Sequence, residues 1–482
     1  MGNEPEVDMD YSSETGQPRR RSTRRPRPDR LASKGLAGFV SPAPREKGAG
    51  KGNRIFQAVE LAVDDAGVPG VEPTRPRATA HARPLRLGID VPLILVICTL
   101  VVFGLLMVYS ASWKLSLQES DSVNSVFWRQ FYYTLLGFVL MIGLAFINYH
   151  YWQKLAVPLL FITLGLLVAV LMIHDEQLGA TRSLFGGRVQ PSELAKIMIV
   201  IYLAVWVYSK RDQLHQLSFG LGPLGIILGF VGTLIYLQPD FSATIMIFIL
   251  GGMMFFLGGG RLRQIIFVML IGIVFIWVVV STGISATGKN RFDSFIQGLQ
   301  SPMEGSPHVV RSMEAFVKGG AFGVGIGKAD SKLTVLPFPQ TDSIFAVVGE
   351  ETGVIGAALL VCLYVMILWR GLVIARRAPD QLGTLLASGL ILWMTMEAMI
   401  NMAVMIGLMP FAGNALPLMS AGGSNRVVTL VAMGIVLNVS RQSEKVKVEK
   451  ERAFSAVVNL RRRDWRRSVS RSRRSTSSQV QN

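Results

Sequence analysis

The chain has 482 residues, of which 50% are hydrophobic and 17% charged, and its mean hydropathy is +0.41. Soluble domains carry about 25% charged residues, so the composition excludes an ordinary soluble globular enzyme. The net charge of +17 sits towards the ends: residues 1–90 hold 16 Lys/Arg against 12 Asp/Glu, residues 441–482 hold 13 against 4, and the apolar body between them holds 20 against 16. A basic excess on polar ends suits an anionic membrane surface rather than nucleic acid, which calls for a basic face on a folded domain. Cys98 and Cys362 both lie in apolar runs, so neither a disulfide framework nor a cysteine metal site follows.

Residues 1–90 read as a basic cytoplasmic tail, rich in Arg, Pro, Gly, Ala and Ser and without a sustained apolar period, the composition of disorder. No apolar segment stands near Met1, so the first span is expected to act as an uncleaved signal-anchor. Crossing a bilayer takes about 20 mainly apolar residues. Candidate spans run over 91–110, 130–147, 155–173, 192–208, 219–236, 242–258, 264–283, 344–369, 382–409 and 424–440. The expected fold is therefore all-α, a polytopic membrane protein of about ten transmembrane helices. Residues 441–482 form a second basic cytoplasmic tail.

Placing both tails inside puts Lys154, Lys210, Arg211, Arg261, Arg263, Arg370, Arg376 and Arg377 in inner loops, as the bias of Lys and Arg towards cytoplasmic loops requires. The long connection 284–343, between spans 7 and 8, then faces outward. Loops of that length are functional or disordered. It contains an amphipathic segment, 308–318, suited to the membrane surface, and a glycine cluster, Gly319-Gly320-Ala321-Phe322-Gly323-Val324-Gly325-Ile326-Gly327. No Gly-Lys-Ser/Thr follows the cluster, so it is not a P-loop; a tight turn or a set of backbone amides facing a phosphate both fit it. His174, His215 and His308 are isolated loop residues, no His/Cys/Asp group has zinc spacing, and no Gly-x-Ser-x-Gly elbow occurs.

Ionisable residues inside spans are costly and turn towards the bundle interior. Glu193 and Lys196 lie at i,i+3 in Gln190-Pro191-Ser192-Glu193-Leu194-Ala195-Lys196, on one helix face, with Pro191 suited to a first turn. They read as a self-neutralising pair or as a patch facing an outward cavity. Asp240, in Gln238-Pro239-Asp240, caps the sixth span or faces the same cavity. Of the neighbours Glu350 and Glu351, set about 100° apart on a helix, at most one faces a cavity centre. Glu397 and Asn401 form an i,i+4 pair that serves interhelical packing as well as it serves catalysis. Asp342 stands where the outer loop re-enters the membrane, in Gln340-Thr341-Asp342-Ser343. It is either an N-cap, a job Thr341 or Ser343 could also do, or a partly desolvated base.

Taken together, several segments resemble the shape, elongation, division and sporulation family, which includes RodA, FtsW and SpoVE. They are Ala180-Thr181-Arg182, Gln190 to Lys196, Gln238-Pro239-Asp240-Phe241, the glycine cluster, Thr341-Asp342 with Gly349-Glu350-Glu351-Thr352-Gly353, and Pro417-Leu418-Met419-Ser420-Ala421-Gly422-Gly423-Ser424. Their order across ten spans, over residues 91–440, carries the likeness, with a lean towards the division type from the long tails. The chain departs from the family pattern at Gln340 and Ser343, where His and Phe are usual, at Ala421, where an aromatic is usual, and at Ser183-Leu184.

The resemblance implies a peptidoglycan glycosyltransferase that polymerises lipid II on the outer face of a bacterial cytoplasmic membrane, in division or elongation. It implies Asp342 as the catalytic residue, with Lys196, Glu193, Arg182, Asp240, Thr341, Ser420 and Gly422 at the substrate, and apolar loop residues such as Phe316 and Phe322 near the growing glycan. A divalent cation, Mg or Mn, would help offset pyrophosphate charge. Expected partners are lipid II and the glycan strand, a class B penicillin-binding protein (the transpeptidase), other division or elongation proteins, and anionic lipids through the basic tails. Ten spans with internal charges also suit a precursor flippase or transporter, and the long tails suit a non-catalytic division scaffold. Against a transporter, the polar residues gather at the outer edge, not the midplane.

Overall fold

The computed structural model describes residues 88–120, 124–173, 190–214, 216, 220–238, 240–281, 286–334 and 336–477. Among them the protein is all-helical, and each of the ten spans read from the sequence corresponds to a helix. In chain order these are α1 (Val91–Ser120), α2 (Ser125–Phe146), α3 (Trp152–Ile173), α4 (Pro191–Lys210), α5 (Gly222–Leu237), α6 (Phe241–Leu257) and α7 (Leu262–Ser281), then, after the outer connection, α11 (Ile344–Arg376), α12 (Gln381–Met405) and α13 (Gly423–Ser477). Seven of them are long and apolar enough to cross a membrane. The helices α5 and α6 are shorter apolar helices. α7 has 20 residues, almost all apolar.

The connection between α7 and α11 carries its own helices, α8 (Ala286–Gln300), α9 (Pro307–Gly319) and the single turn α10 (Ser331–Thr334). The amphipathic segment expected over 308–318 is α9, which buries Ser312, Ala315 and Gly319 against the outer part of α11 and the end of α12. The bundle packs α13 on α2, α11 on α12, and α4 against α3, α6 and α12. The most enclosed spans are α4, α12 and the first part of α13, whereas α2 and α3 turn most of their surface outward. Outward apolar side chains such as Leu136, Phe161 and Ile162 are what a lipid-facing helix presents.

Helix α11 has 33 residues, about 50 Å at 1.5 Å per residue, well over the roughly 30 Å hydrocarbon core. It is broken at Gly353, whose φ of 71° is helix-incompatible. The glycine cluster threads this break. Val324 N and Gly325 N donate to the carbonyls of Glu350 and Glu351, while Val354 N and Ile355 N donate to those of Gly320 and Ala321. Backbone groups freed by the break are thereby paired, as buried ones must be. A Cβ on Gly353 would lie 2.4 Å from Ala321 O, and one on Gly323 (φ 81°) 2.3 Å from Glu351 O, so the close crossing of two backbones requires glycine on both sides. The turn reading of the cluster is the one realised.

Both acids beside the break are enclosed. Glu350 Oε1 accepts from Asp330 N and Ser331 N at the start of α10, at 3.0 and 3.2 Å. Glu351 Oε1 meets Lys332 Nζ and Ser110 Oγ, each at 2.5 Å. They anchor the outer loop to α11 and α1 rather than line an open cavity. At the other terminus, α13 runs through residue 440 without a break and remains helical to Ser477.

Candidate active site

Four helices, α4, α6, α11 and α13, begin at one end of the bundle, and α12 ends there. Their termini assemble the polar residues. Pro191 occupies the first turn of α4, where its missing N–H costs nothing, and Glu193 and Lys196 follow on one face. Lys196 Nζ donates to Glu193 Oε1 at 2.9 Å and to Glu397 Oε1 of α12 at 2.5 Å. Asn425 Nδ2, from the first turn of α13, donates to Glu193 Oε2 at 2.8 Å. Three helices are thus tied by two carboxylates sharing one ammonium, all buried. Glu397 Oε2 is left without a partner.

Asp240 does cap α6, accepting from Ala243 N at 3.2 Å. Its other oxygen accepts from Ser192 Oγ (3.1 Å) and Gln190 Nε2 (3.5 Å). The cap and the start of α4 are therefore one unit, and the capping reading of Asp240 is realised.

Asp342 stands one residue before the N-cap of α11. The cap position belongs to Ser343, whose hydroxyl donates to Pro337 O at 2.9 Å and makes no capping bond. The Asp342 carbonyl accepts from Asn401 Nδ2 at 2.9 Å, and the same amide nitrogen reaches Asn414 O at 2.5 Å. Asn401 lies one turn beyond Glu397 on α12. Residues four apart on a helix are about 5–6 Å neighbours, so one face of α12 holds the Lys196 cluster and the Asp342 segment side by side. The Asp342 carboxylate lies over Gly413, with Oδ2 3.6 Å from where a Cβ there would stand. Next to Gly413, Ala412 O accepts from Ser242 Oγ at the head of α6, which links the Asp342 and Asp240 regions.

A turn over 416–421 braces the segment from the other side. Ser420 Oγ donates to Thr341 O (2.6 Å) and accepts from Leu416 N (2.8 Å), and Ala421 N donates to Gln340 O (2.8 Å). Tyr364 Oη holds Pro417 O at 2.5 Å. Gly422 follows, its carbonyl accepting from Arg426 N. Thr341 Oγ1 reaches back to Phe338 O at 3.4 Å. Among the described residues, the two non-glycine residues with positive φ are Phe338 (45°) and Leu418 (65°). Each lies in one of the two segments that bracket Asp342, and stored backbone strain of this kind collects at functional sites.

Over this arrangement, His308 of α9 stacks on Phe411 at 4.0 Å between centroids and lies parallel to Phe338 at 6.2 Å. Arg291 of α8 covers the Phe411 ring at 5.4 Å. His308 is therefore not the isolated loop residue its sequence neighbourhood suggests. Burial and, secondarily, the Arg291 charge push its imidazole down to about 4, so the ring is neutral at ordinary pH.

Glu193, Lys196, Asp240, Asp342, Thr341, Ser420 and Gly422 are thus gathered at one end of the bundle. Arg182 lies outside the described residues. Phe316 is turned inward, edge-on to Phe345 at 5.3 Å, whereas Phe322 is 83% exposed. Sequence reasoning paired Glu397 only with Asn401 and passed over Asn414, Asn425 and Arg426. A buried amide or guanidinium at the head of a span was the available signal for the last two.

The residues 91–445 match the model of the cell cycle protein family of FtsW, RodA and SpoVE. The chain is 37% identical over 364 residues to the probable peptidoglycan glycosyltransferase FtsW of Trichlorobacter lovleyi, covering 74% of this chain and 95% of that one. It is 33% identical over 360 residues to the stage V sporulation protein E of Bacillus subtilis, covering 73% and 97%. Its fold matches the rod shape determining protein RodA of Thermus thermophilus, with a TM-score of 0.55 at 26% identity over 75% of this chain and 99% of that one. It also matches a chain from a peptidoglycan synthase complex that coordinates polymerization and crosslinking, with a TM-score of 0.59 at 25% identity over 74% and 99%. The protein is a multi-pass membrane protein and belongs to the FtsW, RodA and SpoVE family.

Proposed function

We propose that this protein is a peptidoglycan glycosyltransferase that joins lipid II into glycan strands at the outer face of the cytoplasmic membrane, as the names of its curated relatives support. The carrying observation is the placement of Asp342. It is a carboxylate at a helix head, held by its backbone between α12 and the 416–421 turn, and set beside a buried lysine cluster.

The chemistry follows from the bond to be made. The acceptor's sugar hydroxyl oxygen attacks the donor's anomeric carbon. The bond from that carbon to the pyrophosphate oxygen breaks, the hydroxyl proton passes to an Asp342 carboxylate oxygen, and undecaprenyl pyrophosphate leaves. One displacement converts an alpha-linked donor into a beta-linked product, so one base suffices, and a positioned base contributes about 100- to 10,000-fold. Lys196, with Arg182, offsets the charge developing on the leaving group. Lys196 gives two of its three N–H groups to Glu193 and Glu397, so it acts as a fixed positive charge held by Glu193 rather than as a mobile arm. Among the described residues no three His, Cys, Asp or Glu side chains form a metal-ligand set. A Mg or Mn ion carried chiefly by the substrate's own pyrophosphate needs no such set, and no step runs through one.

The orientation follows from helix polarity. The basic residues Lys210, Arg211, Arg261, Arg263, Arg376 and Arg377 lie at the bundle end opposite Asp342, which supports a site outside and both termini in the cytoplasm. The division-type relatives support a place in division, with a class B penicillin-binding protein as transpeptidase partner and the basic ends meeting anionic lipid or other division proteins.

The test is polymerisation of labelled lipid II by purified protein, with and without the co-expressed transpeptidase, for wild type and Asp342→Asn. A glycan ladder from wild type that disappears in the variant is expected. A ladder of wild-type strength from a folded Asp342→Asn protein overturns the assignment of the base.

A further inference from the structure

The first turn of α13 carries a second buried cation, Arg426, which the mechanism above does not use. A guanidinium inside a span is costly, yet this one is 1% exposed and forms no ion pair among the described residues. Its partners are all neutral. Nη2 donates to the carbonyls of Met419 (3.0 Å) and Ser420 (3.2 Å), and Nη1 to Thr134 Oγ1 (3.2 Å). With its amide turned over, Gln130 accepts from Nε at 2.5 Å. Met419 N and Ser420 N both bond Leu416 O, so Met419 and Ser420 close a hydrogen-bonded turn. Their carbonyl oxygens are the acceptors that hold the guanidinium.

That turn is the brace of the candidate base. From Arg426 the chain of bonds runs through Ser420 and Ala421 to the carbonyls of Thr341 and Gln340, immediately before Asp342. Leu418, in the middle of the turn, is held at a positive φ of 65°, a conformation that relaxes unless its surroundings enforce it. Thr134 and Gln130 fix the other side of the guanidinium to α2. A lysine has one point charge and no planar fork, so it cannot span α2 and two successive carbonyls at once.

We infer that Arg426 is a positioning residue for glycosyl transfer: its fork locks the 416–421 turn, and the turn sets the Asp342 carboxylate against the acceptor hydroxyl. The inference rests on Asp342 being the base. Displacing a reacting group by about 1 Å costs on the order of 100-fold, so the effect falls on kcat and leaves KM nearly unchanged.

The experiment compares wild type, Arg426→Lys, Arg426→Met, Ser420→Ala, the Arg426→Lys/Ser420→Ala double variant and Asp342→Asn in nanodiscs, with lipid II as substrate and thermal unfolding as the folding control. Arg426→Lys, which keeps the charge, should lower kcat about 10- to 100-fold with KM within about threefold. The double variant should be little worse than the poorer single one, because both changes loosen one turn. Arg426→Lys at wild-type kcat, or a double variant whose loss is the product of the two single losses, overturns the inference. If Arg426→Met does not fold, Arg426→Lys and the cycle still decide. A silent Asp342→Asn with a fully active Arg426→Lys leaves the base and removes only the brace. An active Asp342→Asn removes both.

Discussion

The two ends of the bundle use buried charge differently. At the basic end, most buried polar groups find partners. Arg370 grips both oxygens of Asp90. Asp380 accepts from Tyr149 Oη at 2.6 Å and from Gly383 N at 2.9 Å, with His150 on its other oxygen, and Asn438 donates to Ala145 O and accepts from Tyr149 N. At the Asp342 end the accounts do not close. Two carboxylates share one lysine, an arginine has only neutral partners, and Glu397 Oε2, Asn401 Oδ1, Asn414 Nδ2 and Gln238 Oε1 are buried without partners. The non-glycine backbone strain is there too. Glu444 Oε2 is a buried orphan of the basic end. Unsatisfied groups and strain concentrate at the Asp342 end, as they do at functional sites, and Glu350 Oε2 and Glu351 Oε2, beside the break in α11, are orphaned as well.

The largest break in this comparison comes from Asp342→Asn. Polymerisation should fall about 100- to 10,000-fold while thermal unfolding stays near wild type, since the bond from Asn401 to the backbone carbonyl of Asp342 survives the change and asparagine keeps the size of the side chain. Next in size is Lys196→Met, which leaves Glu193 and Glu397 facing each other without their cation. Breaking a buried ion cluster from one side costs about 3–5 kcal/mol, so both stability and activity should drop. At the basic end, Asp90→Asn weakens one charged, bidentate contact and should cost about 2 kcal/mol with kcat unchanged. Equal catalytic losses from Lys196→Met and Asp90→Asn would mean that both ends are merely structural.

What the sequence made legible follows from the range of each interaction. The spans could be read because lipid imposes apolar runs of fixed length, and Glu193 with Lys196 because i,i+3 spacing is local. Pro191 and Asp240 declared helix starts through their own backbone chemistry. The pairing of Lys196 with Glu397, 201 residues away, has no such local signature, and neither does the bond from Asn401 to Asp342. The glycine cluster announced close backbone approach without saying that its partner would be the break at Gly353. His308 looked isolated because stacking on Phe411, more than 100 residues away, leaves no period in the chain.

His308 offers the finest test, because its effect depends on the sign of a proton balance. Its imidazole is held down at about 4, against an ordinary value of 6.5, by burial and by Arg291. Between those two values, a conformation in which α9 has swung away from Phe411 binds a proton that the closed one refuses. Stability of the closed form therefore rises with pH across that interval: it is fully present above about 6.5 and declines as pH falls towards 4. Protection of the α9 amides, taken relative to their intrinsic exchange rate at each pH, should fall over this window on acidification and be flat above it. Carboxylates at the same end, Asp342 included, also take up protons in acid, so the control is His308→Phe, which keeps a ring on Phe411 and removes the titrating nitrogen. The acid-dependent part of the exchange should then shrink while the exchange at pH 8 stays the same. If His308→Phe opens with the same pH dependence as wild type, the carboxylates govern the outer loop, and the neutral ring serves only as packing between α9 and Phe411.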